Sequence, residues 1–192
     1  AVGGRKVQLD PARDTLVNVN ALGDPVPSAR FMGGREFSLL TEGQPQEWSE
    51  SDLAAVLERQ VLLLPSTQQG SGPFPNRPAR WHNANGSSPG QRFAAISFYL
   101  ALVTATCLEL IGGDGPTTVE GPFARNPLFI RMLAAATGRR VVASETSTGT
   151  SIGAALLAAD GATTMSKGER TEPPAEPAWG EYTLAWQQAA KL

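Results

Sequence analysis

The chain has 192 residues, with 16 Lys and Arg against 18 Asp and Glu, a formal net charge of -2 and only 18% charged residues. That length suffices for one sizeable core, and the charge leaves no basic surface for a nucleic-acid partner. One cysteine, Cys107, excludes an internal disulfide, and with one histidine, His82, there is no Cys/His cluster, so no metal ligand is assigned.

These counts fit a cytoplasmic protein. The opening AVGG, without an initiator methionine, reads as a processed chain or a piece of something longer. Residues 7–40 read as short strands with turns at Asp10-Pro11, Gly23-Asp24-Pro25 and Gly33-Gly34. WSESDLAAVLERQVLLL begins a helix with Ser49 and Asp52 as a capping pair. Residues 68–92, crowded with Gly, Pro, Asn and Ser, form the longest stretch without periodicity, and a loop of that length is usually functional or disordered. Phe74, Trp81 and His82 lie in it, either lining a cleft or pinning the loop to the body. His82 has no Ser or Cys nucleophile motif beside it.

FAAISFYLALVTATCLELI, residues 93–111, carries only Glu109 as a charge and is long enough to span a bilayer. Phe93, Ile96, Leu100, Val103, Cys107 and Leu110 step by three and four, Ser97, Thr104 and Thr106 interrupt the apolarity, and no basic asymmetry flanks it. A central buried helix is therefore expected, not a membrane span, with Cys107 as a packed thiol. TTVE reads as a strand and RVVAS as another, with a helix over 127–137 between them and a further helix in STGTSIGAALLAAD. Strands alternating with helices imply an α/β layer with at least one parallel pair. The tail 161–177 looks solvated, and EYTLAWQQAA is expected to form a terminal helix packing through Tyr182, Leu184 and Trp186.

At the EGPFARN turn every residue has a local use. Gly121 tolerates unusual backbone angles, Asn126 can cap a helix, Pro127 suits its first position and Gly138 its exit. Such a strand-turn-helix corner also aims backbone N–H groups outward, where phosphates settle. Capping alone accounts for the same residues.

EGPFARNPLFIRMLAAATGRRVV followed by TSIGAALLAADG resembles the nucleotide-binding half of the FGGY carbohydrate kinases, and SARFMGGREFSLL and SGPFPNRPARW resemble earlier segments of that family. The resemblance implies the C-terminal lobe of an actin-like, ribonuclease-H-like ATPase fold, a mixed sheet flanked by helices, over residues 1–161, with 162–192 as a tail. It implies that Gly121, Pro122 and Phe123 form a turn against the nucleotide, that Asn126 faces adenine, and that Gly34 lies near the phosphates with Ser38 one helical turn on. ATP and magnesium are the implied cofactors, and a sugar or polyol the implied substrate. Where the family often has consecutive glycines, Pro122 offers no N–H, and no Gly-Thr phosphate turn is recognisable in AVGGRK.

Family members are about two and a half times this length by the same resemblance, with an N-terminal lobe that supplies the first phosphate hairpin, most sugar contacts and the catalytic base. That lobe is the implied partner, and the base is expected there. The early carboxylates Asp10, Asp14 and Asp24 each adjoin turn residues and read as turn chemistry. A lobe without its mate is expected to expose apolar groups, with Phe74 and Trp81 the candidates, and to self-associate, a homodimer being the simplest form. The alternative from another class is a non-catalytic module that keeps the fold and binds a nucleotide or a protein.

Overall fold

The computed structural model describes residues 1–20, 22–144 and 168–190. The helix expected in STGTSIGAALLAAD lies outside the described residues. The first element is a hairpin, β1 (Thr15–Val19) against β2 (Pro25–Ala29), antiparallel with Asn18 opposite Val26. Its tip is held by Asn20, whose side-chain oxygen accepts from the N–H groups of Leu22 and Asp24, both at 2.9 Å. Helix α1 (Gly33–Thr41) follows directly. The expected turn at Gly33-Gly34 is instead the first turn of this helix. Local propensity disfavours glycine there, but Phe31 packs on Gly33 so closely that an added Cβ would lie 2.7 Å from the ring.

Helix α2 (Glu50–Arg59) starts with the expected reciprocal cap, Ser49 and Asp52 each bonding the other's backbone N–H. It leads into β3 (Leu62–Leu64), wholly buried, which pairs antiparallel with β4 (Arg80–His82). The stretch 68–92 is thus not all loop: it contains β4 and the start of α3 (Pro89–Leu110), itself capped reciprocally by Ser88 and Gln91. The sequence signal failed because β4 is three residues long and its partner lies well upstream.

At about 33 Å, from 22 residues at 1.5 Å each, α3 is the axis of the domain. It is the one described helix long and apolar enough to cross a membrane, and most of it is buried inside the protein. The expected stripe is too narrow: from Phe93 to Val103 the helix is buried all round, Ser97 included. Ser97, Thr104 and Thr106 donate to the carbonyls of Phe93, Leu100 and Leu102, which is how these hydroxyls enter an apolar helix without stranded donors.

β5 (Thr117–Val119) runs parallel to β6 (Val141–Ala143), and α4 (Pro127–Thr137) makes the crossover between them. Asn126 caps α4 and Gly138 ends it in the left-handed region at φ 62°, as the sequence implies. β7 (Glu169–Thr171) joins antiparallel to β6, so the sheet is mixed, with β6 central and β5 and β7 as its outer strands among the described residues. The segment read as solvated therefore contains a strand, although Glu169 and Arg170 stay exposed.

The expected terminal helix is α5 (Pro177–Ala190). Its inner face is Trp179, Tyr182 and Trp186, whereas Leu184, expected to pack, is 58% exposed because it falls on the opposite face. Tyr182 and Trp186 donate to the carbonyls of Val61 and Leu63 at 2.7 and 2.8 Å, tying α5 to β3, and both rings' polar atoms are thereby satisfied. Trp186 also meets Phe74 edge-on at 5.8 Å, and Arg92 lies 5.3 Å from the Trp81 ring. Phe74 and Trp81 are consequently half-buried and pin their loop, which corrects the expectation that they are the exposed apolar groups. The exposed apolar residues include Val17, Val19 and Leu22 of the β1–β2 hairpin.

Candidate functional site

A cleft of about 530 Å3 opens between the start of α1, the outer strand β5 and the N-terminal residues Ala1–Gly4. Phe31, Gly33 and Gly34 form one wall, Thr117–Glu120 with Phe123 form another, and Leu108, Phe129 and Leu133 from α3 and α4 make an apolar floor. Its volume lies within the range of small-molecule sites, and its lining combines apolar floor with polar rim.

The wall at α1 is unusual in its capping. Met32 occupies the N-cap and makes no side-chain cap hydrogen bond, so among the described residues the N–H groups of the first turn have no capping side chain. Gly34 is exposed, and a Cβ built there would meet nothing within 4 Å. Backbone donors with open space in front of them are what an anion requires.

Phe123, on the opposite wall, comes from the 121–125 segment. Gly121 has φ 80°, a region that disfavours side chains, and a 3-10 turn, Pro122–Arg125, follows it. Pro122 is exposed. Phe123 is half-buried: its ring stacks on Phe129 at 5.0 Å and meets Phe37 edge-on at 5.6 Å, which fixes it as a flat apolar surface at the cleft.

The FGGY carbohydrate kinase C-terminal domain model matches residues 1–167. The chain belongs to the FGGY carbohydrate kinase family. It is a mixed α/β domain matching the C-terminal part of these kinases, in the actin-like fold family. Among solved structures, a carbohydrate kinase from Novosphingobium aromaticivorans is 34% identical with a TM-score of 0.83, over 95% of this chain and 41% of that one. A xylulose kinase from Rhodospirillum rubrum matches at 16% identity and TM-score 0.67, over 97% of this chain and 42% of that one. A Plasmodium falciparum glycerol kinase, solved with ADP, matches at 14% and 0.53, over 74% of this chain and 32% of that one. The last two show the fold alone. The FGGY domain thus spans less than half the length of these kinases. A comparison with curated proteins finds no match.

Of the residues assigned from the sequence, the cleft of this FGGY domain brings together Gly34 and Phe123. Gly121 and Pro122 lead into Phe123 without lining the cleft themselves. Ser38 is exposed and donates to the Gly34 carbonyl at 3.0 Å, away from the lining. Asn126 is engaged at both ends of its amide, accepting from the Phe129 N–H at 3.1 Å and donating to Ser97 Oγ at 2.9 Å.

Other candidates sort themselves by environment. His82 is exposed on β4 and outside the cleft. Cys107 is buried, and that burial pushes its thiol up to about 12, so it is a packing group rather than a nucleophile. Asp10 caps the 3-10 turn Pro11–Arg13 as turn chemistry requires. Asp14 does more: it accepts from the distant Gly72 N–H at 2.6 Å and pairs with Arg30 at 3.2 Å. Burial opposes its ionisation, yet these bonds and the Arg30 charge together hold its carboxyl below the usual range.

Sequence reasoning missed Glu36. It is 2% exposed on α1 and accepts a hydrogen bond from the Tyr99 hydroxyl of α3. An acid in a helix next to Arg35 looks like any solvated helix residue, and a single tyrosine within the apolar run of α3 is the only sequence sign of a polar partner.

Proposed function

We propose that this domain is the nucleotide-binding lobe of an ATP-dependent carbohydrate kinase, which transfers the γ-phosphate of ATP to a hydroxyl of a sugar or polyol. The observation that carries the reading is the convergence, in one FGGY domain, of an uncapped glycine helix start and a fixed aromatic face across a single cleft. Phe123 offers the surface for the adenosine side, and the Gly33–Gly34 N–H groups suit the phosphates. The described residues hold no group of three metal-ligating side chains, and the cleft's own carboxylates are Asp114 and Glu120. Magnesium, which keeps several waters and is commonly held through substrate phosphates, would accordingly be carried on the nucleotide.

Phosphoryl transfer depends on positioning and charge neutralisation with attacking and leaving oxygens in line, so both walls of an active site are required. The sugar, the first phosphate hairpin and the base that accepts the hydroxyl proton belong, on this reading, to the N-terminal lobe. The chain's span of 41% of the Novosphingobium kinase supports that division. The test is calorimetric titration with ADP beside a coupled kinase assay over ketoses, aldoses and polyols. Weak ADP binding without sugar-dependent turnover is expected; absence of ADP binding, or robust turnover by the 192-residue chain, contradicts the reading.

A further inference from the structure

Glu36 is a buried carboxylate bonded by the hydroxyl of Tyr99. The Tyr99 hydroxyl donates to it and in turn accepts from the Thr67 N–H at 3.4 Å, so that Glu36 is linked to the 67–68 segment just after β3, whose Thr67 and Gln68 lie against the carboxylate. A buried acid is costly unless bonded, and a helix-start acid ordinarily sits in solvent, where it interacts with the N-terminal N–H groups. Here the acid turns into the core instead, away from the N–H groups it could have covered.

Its place in the chain gives that orientation a use. The Glu36 N–H bonds the Met32 carbonyl at 2.9 Å and so closes the first turn of α1, the turn that contains Gly33 and Gly34. Holding the Glu36 side chain from both α3 and the 67–68 segment therefore fixes that turn's height against the cleft. The other end of the same segment is also held: Phe31 is packed between Gly33 and Gly72, and an added Cβ at Gly72 would lie 2.8 Å from the Phe31 Cβ. Asp14 bonds both Gly72 and Arg30. Residues 30–36 are thus anchored at each end to the 67–72 segment.

We infer that Glu36, through Tyr99 and the Thr67–Gln68 backbone, is the positioning residue that sets the Gly33–Gly34 turn to receive the β-phosphate of a nucleoside diphosphate. The inference rests on the nucleotide reading of the cleft. Glu36 does not touch the ligand: it keeps the turn open by leaving the donors uncovered and keeps it rigid by its core bonds. Adenosine and the α-phosphate, on the Phe123 side, do not depend on it.

The test is titration of the 192-residue chain with ADP and with AMP, for wild type, Glu36→Gln and Tyr99→Phe, with circular dichroism and thermal melting of each. Wild type is expected to bind ADP more tightly than AMP. Glu36→Gln is expected to lose about tenfold in ADP affinity and Tyr99→Phe about threefold, with AMP affinity held within about twofold, since small displacements of a positioning group weaken the contacts it sets. Folded variants with an unchanged ADP-to-AMP ratio overturn the inference, as does an equal loss of both ligands in step with melting temperature, which is the signature of a purely structural role. Equal wild-type affinity for ADP and AMP also overturns it. Wild type that binds neither nucleotide overturns the nucleotide reading itself. If Glu36→Gln fails to fold, Tyr99→Phe, which removes one oxygen and keeps the ring, decides the matter.

Discussion

Replacing Gly34 with alanine separates folding from binding at the cleft. A Cβ at this position meets no atom within 4 Å, and its backbone angle is one that any residue adopts in a helix. Glycine in a helix costs roughly 0.5–1 kcal/mol relative to alanine, so Gly34→Ala is expected to stabilise the fold by up to that amount. For a domain of this size that is a rise of about 1–4 °C in melting temperature. The neighbouring Gly33→Ala has the opposite sign, since its Cβ would lie 2.7 Å from the Phe31 ring, and overpacking of that kind costs about 1–3 kcal/mol. The open space before Gly34 is nevertheless the approach that the phosphates require. Gly34→Ala should therefore lower ADP affinity by about tenfold, or about 1.4 kcal/mol, while the protein melts higher. Differential scanning calorimetry and isothermal titration on the same preparations read the two effects. A stabilised Gly34→Ala protein with wild-type ADP affinity would refute the placement of phosphates at this turn.

Gly121→Val is expected to destabilise by about 1–3 kcal/mol from the backbone, because φ 80° with ψ -159° is a region essentially confined to glycine while an added Cβ meets nothing, as a shift in the urea midpoint will show. Asn126→Ala should cost about 1 kcal/mol for the lost cap and leave Ser97 without its donor; a further loss of ADP affinity in a well-folded variant supports the adenine contact, and unchanged affinity leaves Asn126 as a cap only. Burial raises the Glu36 carboxyl above its ordinary value of 4.5, against the opposing hydrogen bonds. A raised folded-state value means that protonation favours the fold, so wild-type stability relative to Glu36→Gln should increase as pH falls from neutrality toward 4.5 and diminish as it rises; denaturation midpoints over that window check the sign.

Local signals were most legible where one residue's chemistry sets the structure. Ser49 with Asp52 starts α2, and Asn126 and Gly138 delimit α4, because caps and left-handed exits involve groups only a few residues apart. Legibility failed where distant groups decide. Gly33-Gly34 opens a helix with Phe31 packed on Gly33 and Glu36 bonded to Tyr99 of α3, and β4 pairs with the upstream β3. Phe74 is covered by Trp186 of α5, far along the chain, and Trp81 meets Arg92 only once the end of the stretch has turned into α3, pairings that composition does not announce. Gly34 and Phe123, which line the candidate cleft, are singled out by family resemblance alone, since a glycine pair and an aromatic have many uses. Glu36 could not be reached at all, because burial of an acid is a property of the packed molecule.

On the proposed reading, one cleft holds a nucleotide between the α1 start and Phe123. A crystal structure of the chain grown with ADP tests it most directly. Adenosine density against Phe123, with the β-phosphate on the Gly33 and Gly34 N–H groups, is the predicted result. ADP bound at another surface, with the cleft free of it, would contradict the account.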